Sequence, residues 1–380
     1  MDVQPWRVLS PLVLATMASQ SLLVVLAPTM VAISTDLRAP VATVGQARSV
    51  TALVSVTASL AITARADRLA VRTLLRTGST VAVVACGLVA ASGSTAAFLS
   101  AHVLVGLAFA PLLSGGFAGI AAFGPDRRAW ATGYVAGANA LAWIVVNPLA
   151  SGITARASWR AAMAVPAAIA VTALVAAGRA APVPWGRVPG RLWEPLTVTP
   201  ARRWVVSEVT AFAAWTCLLT FSGAYFIEQL GVPDALAGWL LAAGAAAYLA
   251  ASSGAGRMAR RVPPRRLVWA SALVMAGLLP AMLSGPRSAV LAATLFCLIG
   301  FVAGIRTPAS AGLALQQLPD HPAAMMAART AATQSGYLVG AVVGGAVLAG
   351  PGYGALGVVL AVTMATSAWL VHRVDDRSKG

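Results

Sequence analysis

Four ionisable side chains interrupt long apolar stretches of the sequence: Glu208, Arg306, Arg329 and His102. A charge inside a bilayer costs about 2.5–3.5 kcal/mol on insertion scales, so each needs a partner or a function. A Glu–Arg pair can be a static structural pair. Alternatively, Glu208 binds and releases a proton, and Arg306 keeps it ionised until substrate or conformation intervenes. Histidine titrates near neutral pH, so His102 is a second candidate, although a lone histidine is more often a packing residue.

The composition explains why these charges are expected to lie in lipid. Of 380 residues, 59% are hydrophobic and 10% are charged, and the mean hydropathy is +0.80. Soluble domains carry about 25% charged residues. Apolar runs of about 20 residues recur along the chain, the length that crosses roughly 30 Å of hydrocarbon. Runs such as 236–249 do not alternate as the strands of a membrane β-barrel do. The composition therefore predicts an all-α polytopic membrane protein.

Proline, glycine and charged residues divide these runs into twelve predicted helices. They are placed near residues 8–33, 41–62, 73–93, 96–121, 129–153, 157–178, 204–228, 235–256, 267–285, 288–314, 323–349 and 353–372. The stretch 179–203 holds five prolines and five arginines and is predicted to be a cytoplasmic linker. The expected domains are an N-terminal six-helix bundle at 1–178 and a C-terminal one at 204–380, related by a pseudo-two-fold axis.

The basic residues predict the orientation of the chain. With the N-terminus inside, 20 of the 27 Lys and Arg residues fall on cytoplasmic segments and four on the opposite face. This asymmetry follows the positive-inside rule and places both termini in the cytoplasm. It also explains the formal charge of +16 without nucleic acid. Arginine supplies 26 of the 27 basic residues, which is typical of a high-GC bacterial genome and favours a bacterial plasma membrane.

The two halves contain a repeat. Residues 63–72 follow the second predicted helix and residues 256–265 follow the eighth, and the two segments align without gaps at an offset of 193. Parallel repeats about an axis along the membrane normal are an architecture of transporters, with the substrate between the repeats.

The repeated loop resembles a motif of the major facilitator superfamily, which runs roughly Gly-x-x-x-Asp-Arg-x-Gly-Arg-Arg. Asp67, Arg68 and Arg72 match it in the first copy, and Arg260 stands where an acid is expected in the second. The resemblance implies a cytoplasmic gate in which this loop meets the other half. The alternative is that these charges only set topology and cap helices.

Two acids are candidate partners in this gate. Asp320, just before the eleventh helix, could pair with Arg68 or Arg72. Asp126, before the fifth helix, could pair with Arg260 and so compensate for the missing acid of the second copy.

The fifth helix carries a second likeness. Gly133 and Gly137 precede Asn147-Pro148-Leu-Ala-Ser151-Gly152, which resembles the Gly-Pro-x-x-Gly-Gly of the drug/proton antiporter branch of that superfamily. Ser-Trp-Arg at 158–160 is similar to the Gly-Trp-Arg that often follows this helix, and the segment 102–106 stands where the branch has Arg and a later Gly. The resemblance implies a twelve-helix efflux permease.

Five residues are predicted to line a cavity for an amphipathic organic molecule: Gln20, Trp215, Tyr225, Gln334 and Tyr337. The pairs Gly133/Gly137 and Gly340/Gly344 have the spacing of close helix packing. Arg48, near the outer side, could meet Asp36 or reach the membrane surface.

The leading hypothesis is a secondary transporter that exports small hydrophobic or amphipathic molecules in exchange for protons. An uptake symporter or facilitator of the same fold remains open, and a non-transporting membrane sensor is a more distant alternative. We expect no cofactor and no ATP-binding loop, with the proton gradient as the energy source. The expected partners are a small-molecule substrate and the lipid bilayer, with no nucleic acid, and the chain is expected to be monomeric. Its scattered histidines and cysteines argue against an enzyme or a metal site.

Overall fold

A computed structural model describes residues 5–64, 69–180, 194–259, 261–285 and 288–374, and these are almost entirely helical. The all-α prediction is confirmed. Twelve helical segments in this part of the chain match the predicted ones. They are α1 (Pro5–Val24, continued as Leu26–Asp36), α2 (Val41–Ala64), α3 (Val71–Ala91), α4 (Thr95–Ala118), α5 (Pro125–Arg156), α6 (Trp159–Ala162 with Ala164–Ala177), α7 (Thr199–Ala224), α8 (Asp234–Ala259), α9 (Pro264–Ser284), α10 (Ala289–Gln317), α11 (Pro322–Leu348) and α12 (Gly352–His372).

Length and hydropathy make eleven of these helices, among the described residues, capable of crossing a membrane. The exception is α2, which has 24 residues and is long enough to span. It carries Arg48 and seven serine or threonine residues, which lower its hydropathy. Arg48 is only 2% exposed and lies 5.8 Å from the centre of the Trp143 ring, so the bundle rather than lipid surrounds this charge.

Five helices that begin one to five residues earlier than the sequence predicts have a proline in the first turn, and α1 is one of them, beginning at Pro5. Pro125, Pro264 and Pro322 are the first residues of α5, α9 and α11, and Pro200 is the second residue of α7. Proline fits the first turn because its missing N–H would have no partner there. The described end of the predicted linker is therefore largely helical, with a short helix at Glu194–Thr197 before α7 begins at Thr199, while residues 181–193 lie outside the described residues.

The chain divides into two compact units, Met1–Arg187 with Pro233–Ala242, and Val188–Val232 with Ala243–Gly380. The first unit contains α1–α6 together with the first turns of α8. The second contains α7, the rest of α8, and α9–α12.

A glycine contact recurs at equivalent positions in the two units. In the first, a side chain at Gly106 of α4 would collide with the Thr51 carbonyl oxygen of α2. In the second, a side chain at Gly300 of α10 would collide with the Gly244 carbonyl oxygen of α8. Thr51 and Gly244 are 193 residues apart, the offset of the repeated loop. In each unit, the backbone of the second helix therefore lies in close contact with the fourth helix.

The two predicted glycine pairs differ in outcome. A side chain at Gly340 would overlap the backbone of Ala213, and one at Gly344 would overlap the Cys217 sulfur, so α11 packs closely on α7 as predicted. At Gly133 and Gly137 an added methyl group would meet no described atom within 4 Å. The expectation of close packing there is wrong, because that face of α5 has open space beside it.

Candidate functional site

Two facing helices of the second unit each place two polar side chains on one face. Trp204 and Glu208 are four residues apart on α7, and Arg306 and Ser310 are four apart on α10. Glu208 is fully buried and Arg306 is 4% exposed. The Oε2 atom of Glu208 accepts a hydrogen bond from Arg306 Nη2 at 3.1 Å and another from Ser310 Oγ at 2.8 Å. The structure therefore pairs the buried acid with one arginine and one hydroxyl.

The hydroxyl of Ser310 has a fixed direction. Its oxygen accepts a hydrogen bond from the indole Nε1 of Trp204 at 3.1 Å. An indole N–H can only donate, so the hydroxyl proton of Ser310 is left to point at the carboxylate. Trp204 is itself fully buried, which holds this orientation.

Arg306 is anchored from α12 as well. Its Nη2 atom also donates to Ser367 Oγ at 3.3 Å, so both hydrogens of that nitrogen are used. Ser367 Oγ donates to the Ser207 carbonyl at 2.9 Å, and Ser207 Oγ donates back to the Ser367 carbonyl at 3.0 Å. This reciprocal pair joins α7 to α12 behind the ion pair.

The second carboxylate oxygen is in a different environment. Glu208 Oε1 lies 3.9 Å from Arg329 Nε of α11, too far for a hydrogen bond, and neither atom has a hydrogen-bond partner among the described residues. The Arg329 side chain is 27% exposed, whereas that of Arg306 is 5% exposed. One acid therefore lies between a buried arginine and a partly accessible one.

A small cleft adjoins this cluster. It is lined by Ala211, Phe212, Trp215, Met275, Ala303, Arg306, Thr307 and Met364. Phe212 and Trp215 lie on the face of α7 that carries Glu208, and Trp215 stacks on Tyr248 with ring centres 6.2 Å apart. The cleft is thus apolar and aromatic, with Arg306 as its charged wall.

Of the other predicted cavity residues, none lines this cleft. Tyr225 is 3% exposed, and its hydroxyl donates to the Met282 carbonyl at 2.6 Å. Gln334 is buried and Tyr337 is half-buried, both on α11, and Gln20 is buried in α1 of the first unit.

His102 lies in the first unit. It is 6% exposed, its Nδ1 is 2.8 Å from the Phe98 carbonyl oxygen, and its ring is 4.4 Å from that of Phe98. It borders a small cavity whose other walls are apolar. This environment is that of a packed histidine bonded within its own helix. Its suggested proton role stays a prediction.

Of the gate residues, Asp67, Arg68 and Arg260 lie outside the described residues. Arg72 Nε donates to the Ala180 carbonyl at 2.9 Å, just beyond the end of α6. Its counterpart in the repeat, Arg265, donates to the Val374 carbonyl at 3.2 Å, just beyond the end of α12. Arginines can cap the last carbonyls of a helix. Each repeat thus uses this arginine to hold the C-terminus of its own last helix.

The two candidate acids of the gate are exposed. Asp126 lies in the first turn of α5, where a carboxylate is favourable at the positive end of the helix dipole. Asp320 lies in the turn before α11. Their pairing across the gate stays a prediction.

The antiporter-like segment of α5 packs against the beginning of α8 within the first unit. Ser151 Oγ donates to the Asp234 carbonyl and accepts from the Gly238 N–H at 3.1 Å. A side chain at Gly238 would overlap the Asn147 backbone. Asn147 is fully buried and its amide donates to the Trp143 carbonyl at 2.8 Å.

Pro148 and Gly152, the other two residues of this segment, affect the helix in different ways. Pro148 has no N–H to continue the helical ladder. Gly152 faces Arg156, whose Nη1 lies 3.1 Å from the position that a methyl group at residue 152 would take.

Asp36 has a different partner from the one suggested by the sequence. Its carboxylate bonds Arg160 Nη1 at 2.5 Å and Trp159 Nε1 at 3.1 Å. Arg160 also donates to the Ser92 carbonyl at 2.9 Å. The Trp-Arg pair after α5 therefore ties α6 to α1, whereas Arg48 lies near Trp143.

Sequence reasoning missed Trp204, Ser310 and Ser367. A signal existed, since Trp204 and Ser310 each lie four residues from a charge already singled out. Tryptophan and serine are ordinary in membrane helices, however, so spacing alone did not distinguish them.

With this geometry in place, the comparisons identify the class of protein. The sequence profile of the Major Facilitator Superfamily matches residues 10–227 and 204–380, so the chain belongs to that superfamily. It is a multi-pass membrane transporter with the two-bundle major facilitator fold, as predicted.

Two solved structures are similar in fold. The D-xylose-proton symporter has a TM-score of 0.79 at 15% identity, with 99% of each chain covered. The nucleoside transporter NupG has a TM-score of 0.77 at 12% identity, with 96% of this chain and 98% of that chain covered. No curated protein sequence matches significantly. At such identities the likeness establishes the fold alone.

Proposed function

We propose that this superfamily member exports small hydrophobic or amphipathic molecules in exchange for protons, and that Glu208 carries the proton. The observation that carries the proposal is the fully buried carboxylate, with one oxygen bonded and the other without a hydrogen-bond partner within the described part of the chain. A buried ionised group with an unsatisfied oxygen is costly unless neutralised. Binding a proton at Glu208 relieves that cost and at the same time weakens the ion pair with Arg306, which couples protonation to the position of that arginine.

The neighbouring cleft supports the substrate class. Its aromatic and apolar walls favour a molecule with an apolar body, and Arg306 links that cleft directly to Glu208. A substrate bound in the cleft can therefore move Arg306, and this movement changes whether Glu208 is more stable ionised or protonated.

Export is supported by the likeness of the Asn147–Gly152 segment to the antiporter branch. The energy suffices: one charge moving down 100 mV supplies about 2.3 kcal/mol, or roughly a 45-fold concentration gradient. The runner-up is uptake by symport or facilitated diffusion, which uses the same fold and differs in direction.

The direction is tested by measuring accumulation of lipophilic dyes and antibiotics in cells with and without the gene. We expect the deletion strain to accumulate more of at least one compound. A protonophore should raise the wild type to the same level and leave the deletion strain unchanged. Lower accumulation in the deletion strain would instead indicate uptake, and equal accumulation of every compound tested would favour the sensor alternative.

A further inference from the structure

The two oxygens of the Glu208 carboxylate are not equivalent. Oε2 accepts hydrogen bonds from Arg306 Nη2 and from Ser310 Oγ, at 3.1 and 2.8 Å. Arginine has no acceptor atom, and the Ser310 oxygen already accepts the Trp204 N–H. A proton placed on Oε2 would displace at least one of these two donors. Oε2 is therefore poorly placed to take a proton.

Oε1 differs from Oε2 in its hydrogen bonding. It has no hydrogen-bond partner among the described residues and points toward Arg329, which is 3.9 Å away and partly exposed. A proton on Oε1 breaks none of the bonds to Oε2. The charged groups that face Glu208 within the described chain are Arg306 from α10 and Arg329 from α11, while α12 contributes the uncharged Ser367.

We infer that the two carboxylate oxygens have different roles: Oε2 accepts the fixed hydrogen bonds, and Oε1 gains and loses the proton. Trp204 and Ser310 are positioning residues that maintain this division of roles. This rests on the proposed proton role of Glu208. In the exchange step, a hydronium ion transfers a proton to a lone pair of Oε1: one O–H bond of hydronium breaks, one O–H bond forms at Oε1, and a water molecule is left. Release is the reverse, with the proton returning to water.

Infrared difference spectroscopy between acidic and alkaline pH tests this on the full-length protein in lipid, without a substrate. The C=O stretch of the protonated acid is identified by its loss in Glu208→Gln. If Oε1 holds the proton, the carbonyl oxygen is Oε2, and Ser310 donates to it. Ser310→Ala should then move the band to higher wavenumber, because a hydrogen-bonded C=O vibrates at lower wavenumber.

Two further variants complete the design. Trp204→Phe should shift the band in the same direction by a smaller amount, because the Ser310 hydroxyl becomes free to rotate. Ser222→Ala, a buried serine on the same helix that takes no part in the hydrogen bonds of Glu208, Arg306 or Ser367, should leave it in place. A band that is present but insensitive to Ser310→Ala and Trp204→Phe would overturn the division of roles while leaving Glu208 as the proton site. The absence of any Glu208-dependent band would instead contradict both the division of roles and the proposed proton role of Glu208.

Discussion

At the scale of single residues, the structure gives the buried acid a more specific environment than the sequence could. The meeting of Glu208 with Arg306 is predictable, because both charges fall at one depth and an unpaired charge there is expensive. The hydrogen bond that Ser310 donates to Glu208 is not predictable from the sequence. Hydroxyls in apolar helices usually bond a carbonyl of their own helix, as Thr216 does with Phe212. Only the packing of α7 against α10 shows that Ser310 reaches another helix.

The contribution of the Glu208–Arg306 pair to stability can be measured by removing its two charges singly and together. Arg306→Met alone leaves a buried carboxylate without its main partner, which typically costs about 3–5 kcal/mol. We expect a low yield of folded protein and a lower thermal unfolding temperature in detergent. Glu208→Gln with Arg306→Met removes both charges and should recover the yield and most of the stability.

The single variant would contradict this reading if it were as stable as the wild type. A separate outcome concerns coupling: recovery of proton-driven transport by the double variant would make the pair purely structural. His102 would then become the residue to test.

At the scale of helices, the sequence predicts which helices exist and their order better than it predicts where each helix ends and which helices it contacts. The sequence predicts the starts of α5, α7, α9 and α11 too late, because proline is typical of a break in a helix yet is also favourable in a first helical turn. Spacing of glycines predicts that a close approach is possible but not that a partner is there. Gly340 and Gly344 meet α7, while Gly133 and Gly137 border open space.

Substitution of these glycines tests the difference. Gly344→Ala places a methyl group against the Cys217 sulfur and the Phe221 ring, and overpacking of this kind costs about 1–3 kcal/mol. We expect a reduced unfolding temperature by differential scanning fluorimetry in detergent. Adding Cys217→Ala should restore part of the loss by removing the nearest atom.

Gly137→Ala is the matched control on α5. It meets no described atom within 4 Å, so stability should be unchanged or slightly higher, because alanine favours a helix over glycine. Equal destabilisation by both substitutions would show that close packing at Gly344 does not explain the result.

At the scale of the whole molecule, twelve helices and an internal repeat follow from hydropathy and from one repeated loop. The repeat has a structural counterpart in each unit, since Arg72 and Arg265 hold the last helix of their own half and Gly106 and Gly300 pack against equivalent backbone. The beginning of α8 could not be assigned from the sequence. Its first turns cluster with the first unit because Gly238 lets them approach Asn147 and Ser151.

The most direct test of proton coupling uses the purified protein in liposomes with a compound found by the accumulation assay. Wild-type protein should move that compound when a pH gradient is imposed. Glu208→Gln should abolish this gradient-driven movement yet retain counterflow exchange, because glutamine keeps the bonds to Arg306 and Ser310 but cannot cycle a proton. Glu228→Gln, the same change at an exposed acid beyond the end of α7, should transport normally. Gradient-driven transport by Glu208→Gln at the wild-type rate would contradict the central claim.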